Sequence, residues 1–285
     1  MNRVQAGMFA GTVFLFILLV VWAFTHPWFP ELASDRATLD TFIRATLIIT
    51  GIAFIFTHIL LGWFAWKYRA DAQTRAHYFP DNPRLEITWT AVTALILSIL
   101  VFGALRLWAR LYTPPPQDAL VVEIVGQQFQ WNIRYPGADG RFGRTDPKFI
   151  SDQEYNFIGI DFDDPAAEDD ICLQNQLFLE VNRPVHLQIR SRDVLHSFFV
   201  PPFRFKQDAV PGMTVHVWFT PTRVGKFEIA CAEHCGLGHY RMRGFVYVLP
   251  SEEFRSMMTT LTIPASVLQQ YPKDFQFDTL TLCTE

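Results

Sequence analysis

Three long apolar segments in the first 112 residues restrict the fold more than any other feature of this sequence. They run from Gly7 to Phe24, from about Phe42 to Trp66, and from about Ile87 to Leu107. A helix of about 20 apolar residues spans the hydrocarbon core of a bilayer. Residues 1–112 are therefore predicted to form membrane helices. Most of the acidic residues and all four cysteines follow in residues 117–285, which predict a polar domain.

The first apolar segment has two interpretations. Arg3 precedes it, as in a secretory signal, but no small-x-small cleavage site follows, so we favour a retained third helix over a cleaved signal. Cytoplasmic loops of membrane proteins are enriched in Lys and Arg. The loop before the second segment has one basic residue, Arg36, whereas the loop after it has four: Lys67, Arg69, Arg75 and Arg84. The sequence therefore predicts a multi-pass membrane protein with residues 67–86 in the cytoplasm and its polar domain on the outer side.

The proline-rich connector "TPPPQD", residues 113–118, cannot continue a helix and marks the boundary before the polar domain. Beyond it, runs rich in β-branched and aromatic residues are separated by turn signals. One of them, "TVHVWF", alternates apolar and polar side chains with the period of a half-buried strand. This pattern favours a small antiparallel sandwich or barrel over residues 119–250 rather than a βαβ sheet, followed by an extension at 251–285.

Residues 137–175 are predicted to be a polar insert in this domain. Its block "DFDDPAAEDD" is typical of a solvated loop; its acidic residues are Asp161, Asp163, Asp164, Glu168, Asp169 and Asp170. Calcium binding is the alternative, but the spacing matches no calcium loop of defined geometry. The net charge of −4 and the lack of a basic stripe argue against nucleic acid and suit a basic protein partner.

The stretch "CAEHCGLGHYRM", residues 231–242, concentrates two of the four cysteines with two histidines and a methionine. A disulfide between Cys231 and Cys235 would leave His239 and Met242 without a role. Zinc accepts thiolates and imidazoles but has little use for a thioether. Soft sulfur ligands select copper. The stretch therefore predicts a copper site for electron transfer.

A single-copper site of this kind takes one cysteine, two histidines and a weak axial methionine, with one histidine far upstream. His196, in "DVLHSFFVPPF", leaves a strand for a proline-bounded loop and is the candidate upstream ligand. The second cysteine favours two copper ions bridged by thiolates, with one histidine terminating each end. His186 and His216 are interpreted as structural strand residues, and His234 is predicted to point away from the metal.

Five motifs between about residues 40 and 250 together resemble subunit II of haem–copper cytochrome c oxidases. In chain order they are "LEITWT", "VGQQFQW", "SRDVLHSFFVP", "KQDAVPGMT" and "GKFEIACAEHCGLGHYRM". The resemblance implies a hairpin of two core transmembrane helices, with a third N-terminal helix added here. It also implies an all-β, cupredoxin-like Greek-key domain that carries the binuclear copper centre CuA.

The resemblance implies a role for each ligand of that centre: bridging thiolates from Cys231 and Cys235, terminal imidazoles from His196 and His239, and weak axial ligands from Met242 and the Glu233 carbonyl. The carboxylate of Glu233 is implied to reach a magnesium ion shared with subunit I. Glu233 is therefore a candidate ligand of two metals.

Three further residues acquire roles from the resemblance. Glu86 opens the third apolar segment, where the helix dipole favours a carboxylate. The resemblance implies instead that Glu86 stands at the entrance of a proton path into subunit I, and we favour that role.

Family members usually read Gln-Trp-x-Trp in the aromatic segment, but here Phe129 replaces the first Trp and Trp131 keeps the second. Because the first Trp usually receives the electron, Phe129 predicts a different donor or a differently shaped docking face.

The resemblance implies the electron-accepting subunit of a respiratory terminal oxidase. A reduced c-type cytochrome, docked near Phe129 and Trp131 with help from acidic residues, would donate electrons to CuA. Haem in subunit I would receive them, and oxygen chemistry and proton pumping would take place in that subunit. No Cys-x-x-Cys-His motif follows Pro250, so we expect a separate donor protein rather than a fused haem domain.

Three rival functions fit the sequence less well. A copper chaperone or storage module does not need a full ligand set held on a rigid β-scaffold. Subunit II of quinol oxidases shares the fold but lacks the copper ligands. Nitrous oxide reductase carries CuA but has a second large copper domain and no membrane hairpin.

Overall fold

The computed structural model describes residues 3–26, 29–69, 75 and 77–261. The chain divides into two compact units, which comprise residues 1–30 with 37–110 and residues 31–36 with 111–285. The first unit is helical, and the second is built around β-strands. Residues 31–36 lie between two helices in the sequence but belong to the β-rich unit.

Three helices of the first unit are long and apolar enough to cross a membrane: α1 (Arg3–Thr25), α2 (Ala37–Lys67) and α3 (Pro83–Leu111). Each extends beyond the apolar segment that predicted it, because polar flanking residues continue the helix. Asn82 caps α3, since its side chain accepts a 3.2 Å hydrogen bond from the Leu85 backbone amide. The predicted hairpin and third helix are confirmed as helices of membrane-spanning length.

The described part of the second unit contains ten strands and one short C-terminal helix. The strands are β1 (Leu120–Gln127), β2 (Gln130–Tyr135), β3 (Ile171–Gln174), β4 (Gln176–Glu180), β5 (Val185–Ser191), β6 (His196–Val200), β7 (Phe205–Ala209), β8 (Val215–Phe219), β9 (Gly225–Cys231) and β10 (Arg243–Leu249). They form two five-stranded sheets, in the orders β3-β2-β1-β5-β8 and β4-β10-β9-β6-β7. A shared hydrophobic core joins side chains of both sheets, as expected for a sandwich.

The predicted all-β sandwich is confirmed, but it is not antiparallel throughout, because each sheet contains one parallel pair. β1 pairs in parallel with β5, and β4 pairs in parallel with β10. A parallel pair needs a crossover connection. Between β1 and β5 the chain passes through β4 in the second sheet, and this passage supplies the crossover.

The strand directions bring four loops to one end of the β-rich unit, here called the loop end: residues 126–130, 192–196, 210–214 and 231–242. β1 and β5 run toward the loop end, and β8 and β10 run away from it. The linker after α3 joins the opposite end, where the Leu120 amide donates a 2.8 Å hydrogen bond to the Pro184 carbonyl.

Residues 31–36 also bind the end opposite the loop end. Ala33 and Ser34 are buried there. The Ala33 amide donates to the Pro202 carbonyl at 2.8 Å, and the Ser34 hydroxyl donates to the Phe203 carbonyl at 2.8 Å. Residues 31–36 are therefore part of the β-rich unit, although they lie between α1 and α2 in the sequence.

The polar insert is attached to the first sheet at the buried Asp170, whereas most of its acidic block is exposed or half-buried, as expected of a solvated loop. Asp170 is buried and accepts a 3.1 Å hydrogen bond from Arg134 Nε. Glu123, in β1, lies 3.4 Å from the same guanidinium group and 2.7 Å from Nε of Arg190. Burying a charge is tolerated only when it is paired and hydrogen-bonded. These ion pairs therefore explain how part of an acidic block becomes buried.

The helix α4 (Ser251–Leu261) ends the described chain and packs on the core through Phe254 and Leu261. It accounts for the first third of the predicted C-terminal extension. Residues 262–285 lie outside the described residues.

Candidate metal centre

Two neighbouring strands of the second sheet bring distant predicted ligands together at the loop end. β6 begins with His196, β9 ends with Cys231, and the register of this antiparallel pair sets Phe198 opposite Cys231. The segment after β9 folds back, because the Cys231 amide donates a 3.2 Å hydrogen bond to the Met242 carbonyl. As a result, ligands 35 positions apart in the sequence become neighbours.

Four donor atoms lie in successive close contact and are here called the donor row, although the His196 donor also lies within 4.8 Å of the Cys235 sulfur. His196 Nδ1 lies 4.0 Å from Cys231 Sγ. The two sulfur atoms of Cys231 and Cys235 are 3.9 Å apart, and Cys235 Sγ lies 3.6 Å from His239 Nδ1. In order of their closest contacts the donors are imidazole, thiol, thiol and imidazole.

Two weaker donors flank the thiols. Met242 Sδ lies 3.7 Å from Cys235 Sγ, and the Glu233 carbonyl oxygen lies 3.2 Å from Cys231 Sγ. Both cysteines and Met242 are buried, and so is His196 at the end of the row. The structure thus brings together all six predicted ligand groups in a site that is largely shielded from water.

Asp193 orients His196. Its Oδ1 lies 2.8 Å from His196 Nε2, so in the neutral ring Nε2 carries the proton and Nδ1 turns its lone pair toward the thiols. Its Oδ2 accepts a 2.8 Å hydrogen bond from the Gln128 backbone amide. The Gln128 side chain in turn donates to the Cys235 carbonyl. The hairpin between β1 and β2 is therefore linked to both halves of the site.

The two thiols differ in acidity. Burial acts to raise the pKa of Cys231, but hydrogen bonds with His196 and with backbone groups of Ser197 and Glu233 outweigh it and lower this pKa. Burial raises the pKa of Cys235, and the negative charge of the Cys231 thiolate raises it further. The first thiolate forms readily, whereas the second needs a cation to neutralise the pair.

The donor set fits copper better than zinc. Cys231 and Cys235 are free thiols, which excludes the disulfide interpretation. Soft thiolate and thioether sulfur favour copper, whereas a zinc site has little use for the methionine. Within the described residues, one group of His, Cys, Asp or Glu donors is close enough to share a metal, formed by His196, Cys231 and Cys235.

Trp131 and Phe129, the two aromatic residues expected near electron entry, differ in burial. Trp131 is fully buried in β2, with its ring centroid 6.0 Å from that of His196. It contacts a ligand from the inside and offers no surface to a partner. Phe129 is half-buried and lies against the loop of the metal ligands, so that a Cβ added at Gly238 would collide with its ring.

The remaining candidates lie outside the row of donors. His234 is exposed, as predicted, with its ring centroid 5.5 Å from that of His239. His186 and His216 lie on the neighbouring strands β5 and β8, where Nε2 of one is 3.1 Å from Nδ1 of the other. Glu86 is exposed in the first turn of α3, in the helical unit.

Sequence reasoning missed two residues that hold the ligands in place, Asp193 and Gln128. Asp193 left a signal, because it stands three residues before His196 in "RDVLH", within reach of the ring. No local pattern indicates the role of Gln128, because its partners Asp193 and Cys235 are 65 and 107 positions away in the sequence.

Two family models match the chain. The model described as "Cytochrome C oxidase subunit II, transmembrane domain" matches residues 23–107. The model described as "Cytochrome C oxidase subunit II, periplasmic domain" matches residues 120–248. Together they account for more than half of the chain, and the second includes all six ligand positions.

Similar proteins agree with these matches. The alternative cytochrome c oxidase subunit 2 of Bradyrhizobium diazoefficiens is 36% identical over 245 residues, which cover 86% of each chain. Cytochrome c oxidase subunit 2 of Cereibacter sphaeroides is 30% identical, over 81% of this chain and 78% of that relative. The crystal structure of the periplasmic domain of subunit II of the Bradyrhizobium japonicum oxidase is 27% identical, with a TM-score of 0.38 over 52% of this chain and 96% of that one. The matches across both units show that this chain belongs to the cytochrome c oxidase subunit II family, whose periplasmic domain is cupredoxin-like.

Proposed function

We propose that this chain accepts electrons from a c-type cytochrome at a binuclear copper centre, CuA, and passes them to haem in subunit I. There they reduce oxygen to water, coupled to proton pumping. The observation that carries the proposal is the row of donors from His196 through Cys231 and Cys235 to His239. It supplies two thiols and two imidazoles for two metal ions, with Met242 beside it.

When bound, the centre would supply a one-electron relay. The residues of this chain would hold it through two thiolates and the Nδ1 atoms of His196 and His239. Asp193 would keep the proton on His196 Nε2, away from the metal-facing nitrogen. Strands β6 and β9 would keep the ligands in place during oxidation and reduction, because their positions are set by a hydrogen-bonded sheet. Because the ligands would move little, the reorganisation energy of electron transfer would be small.

A copper carrier is the alternative from a different functional class. A carrier must release its metal and therefore benefits from accessible donors. Here His196, Cys235 and Met242 are buried, and His196 is held by Asp193. These features support a permanent site in an oxidase complex of the bacterial inner membrane, with the copper domain in the periplasm.

Copper content and electron spin resonance test the proposed centre. The full chain, purified in detergent and loaded with copper, is expected to bind two copper ions and to show one unpaired electron shared between them. One copper per chain, or a spectrum with the spin on a single copper, would contradict the binuclear centre.

The carboxylate of Glu233 is proposed to contribute to a magnesium site at the boundary with subunit I. Its backbone carbonyl already faces Cys231 at 3.2 Å, so a metal at the carboxylate would lie next to the copper ligands. Mg²⁺ favours carboxylate oxygen and retains several waters, which suits a side chain that is half-buried rather than enclosed.

Glu86 is proposed to take up protons for subunit I. We expect Glu86→Gln to slow steady-state oxygen consumption by roughly 100-fold or more, as for loss of a positioned proton-transfer group. Reduction of CuA by cytochrome should stay unchanged, because Glu86 lies in the helical unit. Stopped-flow reduction and oxygen consumption of the assembled oxidase separate the two steps. Unchanged oxygen consumption would show that Glu86 only stabilises the start of α3 and takes no part in proton uptake.

A further inference from the structure

Cys172 is the one cysteine of the described residues that takes no part in the metal site. It is disulfide-bonded, whereas Cys231 and Cys235 are free thiols. The chain contains four cysteines, and the fourth is Cys283. Within one chain, Cys283 is therefore the cysteine left to pair with Cys172.

The first sheet separates Cys172 from the metal thiols. Ile171 and Leu173 of β3 belong to the core between the two sheets, so Cys172 points to the outer face of the first sheet. There it packs against apolar side chains of the polar insert. Cys231 and Cys235 belong to the core cluster instead. A disulfide requires Cα atoms within about 7 Å of each other, so this placement opposes a bridge from Cys172 to either metal thiol.

The surroundings of Cys172 leave room for another segment of the chain. Cys172 lines a groove together with Tyr155 and Phe157 of the polar insert. The Tyr155 side chain is exposed, so the groove opens to solvent. In the described structure β3 is also the last strand at its side of the first sheet. A segment can therefore approach Cys172 without displacing a strand.

The residues that carry Cys283 begin on the same side of the sandwich. Asn175 alone separates β3 from β4, and in the described structure each of these strands lies at the edge of its sheet. Helix α4 contacts β4. Cys283 stands 22 positions after Leu261, the last residue of α4. An extended chain covers up to about 3.3 to 3.6 Å per residue, so its length allows Cys283 to reach Cys172.

We propose that Cys172 and Cys283 form a structural disulfide that attaches residues 262–285 to β3. The family model that matches residues 120–248 describes a periplasmic domain, and disulfides persist in that compartment. As the S–S bond forms, the two thiols lose two electrons and two protons to a disulfide-bonded thiol oxidase of the compartment, which is reduced to its dithiol. The bridge closes a loop of about 110 residues, and this constraint disfavours the unfolded chain.

The bridge also protects the metal thiols from mispairing. Four cysteines can pair in three ways. Two of these pairings join Cys231 and Cys235 to the other two cysteines and would leave no thiol for a metal. A bridge between Cys172 and Cys283 removes both competitors, while the metal thiols stay 3.9 Å apart at the loop end.

Peptide mapping of the full chain in detergent tests the bridge. Thiols are alkylated in denaturant with a copper chelator and without reductant, and the chain is then digested with trypsin. Cleavage after Lys and Arg, but not before Pro, gives three cysteine peptides: residues 149–190 with Cys172, 227–241 with both metal thiols, and 274–285 with Cys283. We expect residues 149–190 and 274–285 as a linked pair that separates on reduction.

Three outcomes of the map would contradict the proposal. They are alkylated Cys172 and Cys283, a link from either of them to residues 227–241, and a linked pair found only in a dimer on a non-reducing gel, because the bridge would then join two copies. The map does not depend on bound copper, so failure of the CuA proposal would leave its expected result unchanged.

The unfolding temperature tests whether the bridge is structural. Cys172→Ser with Cys283→Ser should lose the linked pair and lower the unfolding temperature of the β-rich unit by about 4 °C or more. Thr284→Ser is the matched control, because it changes the neighbour of Cys283 and keeps both sulfur atoms. It should retain the linked pair and the unfolding temperature. An unchanged unfolding temperature in the double variant would contradict a structural role for the bridge.

Discussion

Replacing Cys231 by serine is expected to abolish the shared spin signal and to stop electron transfer from cytochrome. Cys231 lies between His196 and Cys235 in the donor row, 4.0 Å and 3.9 Å from their donor atoms. A serine hydroxyl is a harder ligand than a thiolate and, unlike the Cys231 thiol, does not ionise near neutral pH. The loss of copper affinity and of electron-transfer activity should exceed the roughly 10- to 100-fold loss that follows removal of a residue that only hydrogen-bonds a metal ligand.

His234→Ala is the matched control for the Cys231 variant. His234 lies in the same loop, but it is exposed and stands outside the donor row. This variant should keep two copper ions and the shared spin signal. Both proteins would be measured for copper content, spin resonance and stopped-flow reduction by cytochrome. A Cys231→Ser protein that still binds two copper ions with a shared spin would show that this thiol does not bridge them.

Replacing Arg134 by methionine is expected to cause the largest loss of stability in the β-rich unit. Arg134 is buried and pairs with Asp170 and Glu123, which are also buried. Methionine fills a similar volume but leaves both carboxylates without their shared cation. Removing one partner of a buried ion pair typically costs about 3 to 5 kcal/mol of unfolding free energy. The 2.7 Å hydrogen bond that Arg134 Nη2 donates to the Gly143 carbonyl is lost as well.

Calorimetry of the full chain in detergent measures this effect as a fall in the unfolding temperature of the β-rich unit. Each kcal/mol corresponds to roughly 2 to 4 °C for a domain of this size. Arg144→Gln is the matched control, because the Arg144 side chain is 73% exposed although it pairs with two carboxylates of the same insert. Exposed ion pairs contribute about 0 to 1 kcal/mol. Equal shifts for the two variants would show that the Arg134 network is not buried in solution.

Part of the metal site could be predicted because its ligands are local. Five of the six ligand groups lie between Cys231 and Met242, so their residue types and spacing are visible in twelve residues. The remaining side-chain ligand, His196, could be proposed from its position at the end of a strand. Its contact with Cys231 required the register of β6 on β9, which no local pattern specifies.

The acidic insert illustrates the opposite case. Composition predicted an acidic face, because the insert is rich in Asp and Glu. The structure shows several of these carboxylates paired with arginines, among them Arg134 from β2 and Arg192 from the loop after β5. A charge count along the sequence cannot distinguish a paired acid from a free one, since the partners come from distant strands.

The sequence by itself determined the three apolar helices, the β-rich character of the second unit and the ligand types of the metal loop. These features depend on hydrophobic length, on two-residue periodicity and on residues within twelve positions of one another. Only the tertiary structure decided the parallel pairing of β1 with β5, the orientation of His196 by Asp193 and the burial of Asp170 on Arg134. Each of these depends on strand register or on side-chain geometry, which the packed core selects and the order of residues alone does not reveal.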